Sequence, residues 1–226
     1  MTTAVKTSLL AGGAAAASGI GAIAYGDLLS FQTQKEAISS LLSKDPAKRA
    51  IGTTEEEEWK KTWARYRDSK EDIWKLGDLS GDAPTEFKNA CKSKLDLEVS
   101  GSDSKEYKDF LLYCSRDTLI SDLIKENSKG RVLLEGTDVS STDWQNAWKA
   151  YSEDSRNQKG ESETNIWNLS DWKTQNSQQN APQSFITKCS SNIKHPSHDI
   201  HDPLYIDTVK FCTKDKTTAP ASTNNG

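Results

Sequence analysis

The chain is short of most residues on which enzyme chemistry is built. Its 226 residues include one methionine, three histidines, four cysteines and six prolines, and Leu, Ile, Val and Phe together number 40, or 18%. That aliphatic share is below the composition of an ordinary well-cored protein. There is no G-x-S-x-G, no Walker loop, no G-x-G-x-x-G and no H-E-x-x-H, so no catalytic residue is nominated. Charge of one sign is missing too. Twenty-nine Lys and Arg stand against 33 Asp and Glu, for a net charge of -4, without a basic cluster. A nucleic-acid binder held by phosphate contacts is therefore excluded as the default, because such binding needs clustered cations. No cysteine precedes Cys91, which excludes a lipid anchor at the end of any N-terminal apolar run. Against these absences stand seven tryptophans, which with the low net charge argue against a disordered chain. The length allows one large or two small domains.

One long apolar run is present. Between Lys6 and Asp27 the twenty residues Thr7 to Gly26 carry no charge and include Leu9, Leu10, Ala14 to Ala17, Ile20 and Ile23. Twenty residues at a rise of about 1.5 Å span about one bilayer core. The preferred reading of residues 1–26 is an uncleaved membrane anchor. A cleaved signal is the alternative, since Ala22-Ile23-Ala24 offers an A-x-A site, and a buried Ala-rich helix is a third. The lone Lys6 and a run longer than an ordinary signal core favour the anchor. Lys6 before the run and Asp27 after it favour a C-terminus outside the cell.

The most specific feature appears when the second half is laid on the first. Trp59, Trp63 and Tyr66 have the spacing of Trp144, Trp148 and Tyr151, and Ile73-Trp74-x-Leu76 recurs as Ile166-Trp167-x-Leu169. Ala83-Pro84-x2-Phe87-x3-Cys91 recurs as Ala181-Pro182-x2-Phe185-x3-Cys189, and Tyr107-x3-Leu111-x-Tyr113-Cys114 as Tyr205-x3-Val209-x-Phe211-Cys212. Ile38-Ser39-x-Leu41 matches Ile120-Ser121-x-Leu123, and the offset grows along the chain from 82 to 85, 93 and 98. Rare residue types recurring in one order imply a tandem duplication. The expected layout is a linker at 27–36, a helical repeat at 37–118, a second at 119–216 and a disordered tail at 217–226.

Within each copy the periodicity predicts helices. Trp59, Trp63, Tyr66 and Ile73 fall on one helical face, with Glu55 to Glu58 in the first turn and Thr53 or Thr54 as N-cap. The matching helix starts after Ser141, Thr142 or Asp143 and is interrupted by the polar stretch Ser152 to Thr164, with a loop around Gly160. Ala83-Pro84 and Ala181-Pro182 open a second helix, with proline at its first position, and Tyr107 to Cys114 and Tyr205 to Cys212 lie on a third. Ala37 to Leu42 and Leu119 to Ile124 read as lead-in helices, and Arg131 to Glu135 is compatible with a short strand. The fold class expected is mainly α.

Cys91 and Cys189 lie on the inner face of the second helix, and Cys114 and Cys212 on that of the third. Four cysteines allow three pairings, and the duplication selects Cys91 with Cys114 and Cys189 with Cys212. Each closure is worth about 3 to 4 kcal/mol in the chain-entropy picture. Four buried free thiols are the alternative, while a zinc site has no Cys-x2-Cys knuckle to support it. The three histidines cluster as His195, His198 and His201 beside Asp199 and Asp202. The first half has no histidine at the corresponding place, so the cluster reads as a polar loop, and neither a metal nor a cofactor is called. Tryptophan at helical spacing reads as core before it reads as a binding surface.

The Ala- and Gly-rich N-terminal segment with Lys6, the absence of a cysteine after it, the polar domain of about 200 residues, the W-x3-W-x2-Y helix and the paired cysteines resemble the paralogous uncharacterised surface proteins of haemotropic mycoplasmas. That resemblance implies a non-enzymatic, single-pass protein of the cell membrane, held through residues 7–26, with its repeats outside and a role in host contact or antigenic diversity. It carries over no catalytic residue. The alternative is an intracellular scaffold that binds another protein through its tryptophan-bearing helices.

Overall fold

A computed structural model describes residues 35–159 and 164–216. The apolar run Thr7 to Gly26, the loop at Gly160 and the tail 217–226 lie outside the described residues. The first half comprises β1 (Glu36–Ala37), α1 (Ile38–Ser43), β2 (Lys48–Ala50), α2 (Glu56–Ser69), α3 (Thr85–Lys94), β3 (Glu98–Val99), α4 (Lys105–Cys114) and β4 (Ser115–Asp117). The second comprises α5 (Ile120–Asn127), β5 (Arg131–Leu133), α6 (Thr142–Ser152), α7 (Trp172–Gln175), α8 (Gln183–Asn192), α9 (Pro203–Cys212) and β6 (Thr213–Asp215). Helices hold 47% of the described residues, and six short strands accompany them, so the fold is mixed helical where the periodicity alone suggested mainly α. Among the described residues no helix is long and apolar enough to cross a membrane.

The strands are brief because each only ties one helix end to another. The last helix of each half runs straight into a strand that returns antiparallel onto the strand ahead of the tryptophan helix. Lys48 faces Asp117 and Ala50 faces Ser115 in one pair, and Arg131 faces Asp215 and Leu133 faces Thr213 in the other. Three-residue strands leave almost no alternating pattern to detect in sequence.

α2 forms because Trp59, Trp63 and Tyr66 recur on one face, where they are buried with Thr62, and because Glu56, Glu57 and Glu58 sit where the helix dipole favours anions. Two expectations about this helix are corrected. Glu55, not Thr53 or Thr54, is its N-cap, and the Glu55 carboxylate accepts from Gly52 N. The helix also stops at Ser69, with Lys70 in the left-handed region at φ 57°, so Ile73 lies beyond it. The stop has a chemical cause, since Asp72 accepts from the backbone N–H groups of Leu76 and Gly77 and closes a turn that competes with further helix. α6 starts as expected, with the Ser141 hydroxyl accepting from Trp144 N at 3.4 Å. Pro84 and Pro182 stand one residue earlier than expected, at the N-cap with ψ near 150°, which the fixed φ of proline fits equally well.

Many contacts recur between the halves. Ile38 N donates to Leu97 O at 3.0 Å, and Ile120 N to His195 O at 3.0 Å. Ile51 N donates to Cys114 O at 3.1 Å, and Leu134 N to Cys212 O at 3.0 Å. The indole of Trp59 donates to Gly52 O and that of Trp144 to Gly136 O. Each half buries its own apolar cluster, one built around Trp63, Tyr66 and Phe87 and the other around Trp148, Tyr151 and Phe185. A smaller cluster joins Ile120, Leu123 and Ile124 of α5 to Tyr205 of α9. No buried apolar cluster of the described residues spans both halves.

What joins the halves is polar. Arg116, on β4, donates to Asp122 Oδ2 of α5 at 2.6 Å and to Glu55 Oε1 at 2.7 Å, with its side chain only 11% exposed. Arg49 reaches Glu126 at 3.0 Å. Ser197 N donates to Thr118 O, and Leu119 bridges to Pro196. The His195 to His201 stretch is thereby held at the chain's passage from one half to the other.

Candidate functional site

The four cysteines form two disulfides, Cys91 with Cys114 and Cys189 with Cys212, each closing a separation of 23 residues with Cα atoms 5.4 and 5.5 Å apart. α3 against α4, and α8 against α9, bring each pair together, and no free thiol remains. The disulfides are buried as members of the two apolar clusters, so they brace the interior and are not part of the surface.

The tryptophans are core. Trp59, Trp63, Trp144, Trp148, Trp167 and Trp172 are all buried, and only Trp74 is half-buried. They interlock with Tyr66, Tyr151 and the phenylalanines at centroid separations of 4.8 to 6.2 Å, in the edge and offset arrangements that aromatic quadrupoles favour. A flat aromatic docking surface on the tryptophan helices is therefore absent from the described residues.

Each cluster is finished by a tyrosine whose hydroxyl organises the next turn. Tyr66 donates to Asp72 Oδ1 at 2.9 Å and accepts from Trp74 N at 2.9 Å. Tyr151 donates to Asn165 Oδ1 at 2.8 Å and accepts from Trp167 N at 3.0 Å. Burial pushes the Tyr66 hydroxyl up to about 12, and it raises Tyr151 further in the same direction. Both therefore stay protonated donors at any physiological pH. The Asp72 carboxyl is held below its ordinary value by the backbone N–H groups of Gly77 and Leu76. These Asx residues were not nominated from sequence, although each stands directly before the recurring Ile-Trp pair.

A cleft lies beside Tyr66. It is about 530 Å³ and is lined by Trp63, Tyr66, Arg67, Lys70, Leu79 and Ser80, among others. In the second half a cleft of about 240 Å³ lies between α6 and the stretch at 176–179, lined by Trp148 but by neither Tyr151 nor Trp172. Trp172, 2% exposed, packs edge-on against Trp148 and Tyr151 and donates its indole N–H to Gln158 O at 2.9 Å. Trp172 stands at the same offset of 93 from Leu79 that separates Trp167 from Trp74, and Leu79 is smaller and only partly buried.

The second half also carries a charged cluster that the first lacks. Arg156 and Lys210 both donate to Asp154, and Arg156 also pairs with Asp207 at 2.7 Å. The bonds from Arg156 hold the Asp154 carboxyl well below the ordinary carboxylate range. Both carboxylates are nearly buried, 5% and 7% exposed, and both are committed to cations. They fasten the stretch after α6 to α9.

His195, His198 and His201 are exposed. Asp202 caps α9 by accepting from Leu204 N, and Ser197 donates to Asp202 at 3.0 Å. Among the described residues no group of three or more His, Cys, Asp or Glu is disposed to hold a metal ion. The clefts thus lie over aromatic rings that are themselves buried.

Compared with known families, characterised proteins and solved structures, the chain matches no family model, no characterised protein and no solved structure at a significant level.

Proposed function

We propose that this is a non-enzymatic protein, anchored in the cell membrane through residues 7–26 and displaying two homologous disulfide-stapled repeats outside the cell, for host contact or antigenic diversity. The observation that carries the reading is the closure of both cysteine pairs, because disulfides persist in oxidising compartments and are rare in reducing ones. The apolar run Thr7 to Gly26 supports the anchor. Recurrence of the tyrosine turn, the indole-to-carbonyl bonds and the cysteine pairing supports homology of the two halves. The resemblance to haemotropic mycoplasma surface proteins fits the same reading. An intracellular scaffold using the tryptophan helices as its contact surface is disfavoured by the burial of those tryptophans.

The test is protease shaving of intact cells followed by mass spectrometry. Release of peptides from residue 35 onward is expected. Protection until lysis, with four alkylatable thiols, would place the repeats inside and sink the proposal.

A further inference from the structure

We propose that the second half encloses a small polar pocket, between Trp167 and the α8/α9 pair, that binds an ordered water molecule through Trp167, Asn192 and Thr208. Among the described residues three buried side-chain polar atoms have no hydrogen-bond partner in the protein, and they are Trp167 Nε1, Asn192 Nδ2 and Thr208 Oγ1. Their residues are 7%, 3% and 0% exposed. Buried polar groups in folded proteins are satisfied by protein or by ordered water, which commonly makes about three such bonds. The fold brings the three residues to one place. Cys189 and Cys212 join α8 to α9, and Asn192 and Thr208 each stand one turn from that bridge. Trp167 lies over the same two helices, against Phe185 of α8 and Phe211 of α9.

The first half shows the same place open. There a cleft of about 380 Å³ is lined by Ile73, Trp74, Lys94, Lys105, Glu106 and Asp109, with Lys94 Nζ 5.0 Å from the centre of the Trp74 ring. Trp167 takes the place of Trp74, because Trp74 stacks on Phe87 at 5.9 Å and meets Tyr113 edge-on at 5.7 Å, and Trp167 does the same with Phe185 and Phe211, both at 5.6 Å. At the offset of 98, Asn192 stands for Lys94, Asp207 for Asp109 and Thr208 for Phe110. In the second half Arg156, from the extra stretch between Tyr151 and Ile166, bonds Asp207 at 2.7 Å, so its guanidinium stands where the first half has an open rim. Inside, Thr208 replaces the larger Phe110, which is 1% exposed and fills its own site, so the second half gains room and a hydroxyl together. The guest's chemistry follows from the donors. An indole N–H and an amide NH2 need an acceptor, and the threonine hydroxyl can accept in return, a set that one water satisfies. The neighbouring charges balance, Arg156 and Lys210 against Asp154 and Asp207, which favours a neutral guest over a buried ion. This goes beyond the proposed role and does not depend on where the repeats reside.

The test uses the full chain with both disulfides intact. Magnetic relaxation dispersion of the solvent counts water molecules held longer than the protein tumbles, and a nuclear Overhauser measurement asks whether the Trp167 indole hydrogen sees one of them. A cross-peak from water to that hydrogen is expected. Thr208→Phe, which installs the first half's residue, should fill the pocket, remove about one long-lived water from the dispersion and abolish the cross-peak. A thermal melt shows whether this variant is folded. If it is not, Thr208→Val keeps the shape of the side chain and removes one of the three bonds, and the residence time of the water should shorten roughly fivefold. No cross-peak in the parent, a water count unchanged by folded Thr208→Phe, or a residence time unchanged by Thr208→Val would overturn the proposal. So would a saturable shift of the Trp167 indole resonance on titration with chloride, which would make the guest an anion.

Discussion

Asn165 stands in the second half where Asp72 stands in the first, and each accepts the hydroxyl of the tyrosine that ends the tryptophan helix, Tyr151 at 2.8 Å and Tyr66 at 2.9 Å. Each also accepts from a leucine N–H four residues on, Leu169 and Leu76. One turn is thus built with a neutral amide and the other with a charge, and only the charged one answers to pH. Asp72 has a folded pKa below its unfolded value of about 3.9, so its contribution is fully present above that value and is lost as pH falls through the folded one. Followed by NMR, the Leu76 and Gly77 amide signals should move on acidification before those of Leu169. In Asp72→Asn that early movement should disappear, and its persistence would show that another group controls the turn.

Removing the tyrosine hydroxyl should unsettle the turn more than it disturbs the aromatic packing. Tyr151→Phe keeps the ring and strands Trp167 N in a buried setting. An unsatisfied buried donor costs about 1–3 kcal/mol. For a chain of this size that lowers Tm by about 2–4 °C per kcal/mol. A melt unchanged from the parent would mean that water reaches the site and replaces the hydroxyl.

The passage between halves depends on Arg116. Its removal leaves Asp122, 13% exposed in its side chain, without its main cation. Breaking such a pair costs about 3–5 kcal/mol when fully buried, and about 2 kcal/mol is expected for Arg116→Met here because some solvent remains. The double variant Arg116→Met with Asp122→Asn should recover part of that loss, since no charge is stranded at 122 and the amide oxygen still accepts from Leu119 N. A double-mutant cycle in urea measures the coupling, and additive losses would show that the pair is not what joins the halves.

Each disulfide should act on its own half. Replacing Cys91 and Cys114 by serine removes about 3–4 kcal/mol of chain-entropy stabilisation from the first cluster only. Because the apolar clusters are separate, urea unfolding should then split into two transitions, the lower one reporting Trp59 and Trp63. A single transition shifted as a whole would mean that the polar junction couples the halves more tightly than its contacts indicate.

Much of this organisation was legible in the residues because it is local or repetitive. The spacing of Trp59, Trp63 and Tyr66 defines a helix face, since 3.6 residues per turn is a property of the backbone alone. The recurrence of that spacing beside matched cysteines left one pairing out of three. The end of α2 was misread because Ile73 continues the apolar period, while the Asp72 carboxylate, whose partners become visible only in three dimensions, draws the backbone away.

Other features belong to the tertiary structure. β2 pairs with β4 across 65 residues or more, and three-residue strands carry no pattern of their own. A buried tryptophan and an exposed one are the same letter, and it was packing between helices that placed nearly all of them inside. Nor does any rule of periodicity say that Trp172 packs edge-on against Trp148 and Tyr151 while Leu79, at the same offset, packs only partly buried against the first cluster. Helices and cysteine pairing followed from short-range geometry and repetition, whereas the junction at Arg116 and the two unequal clefts follow from contacts between residues far apart in the chain, which only the folded state brings together.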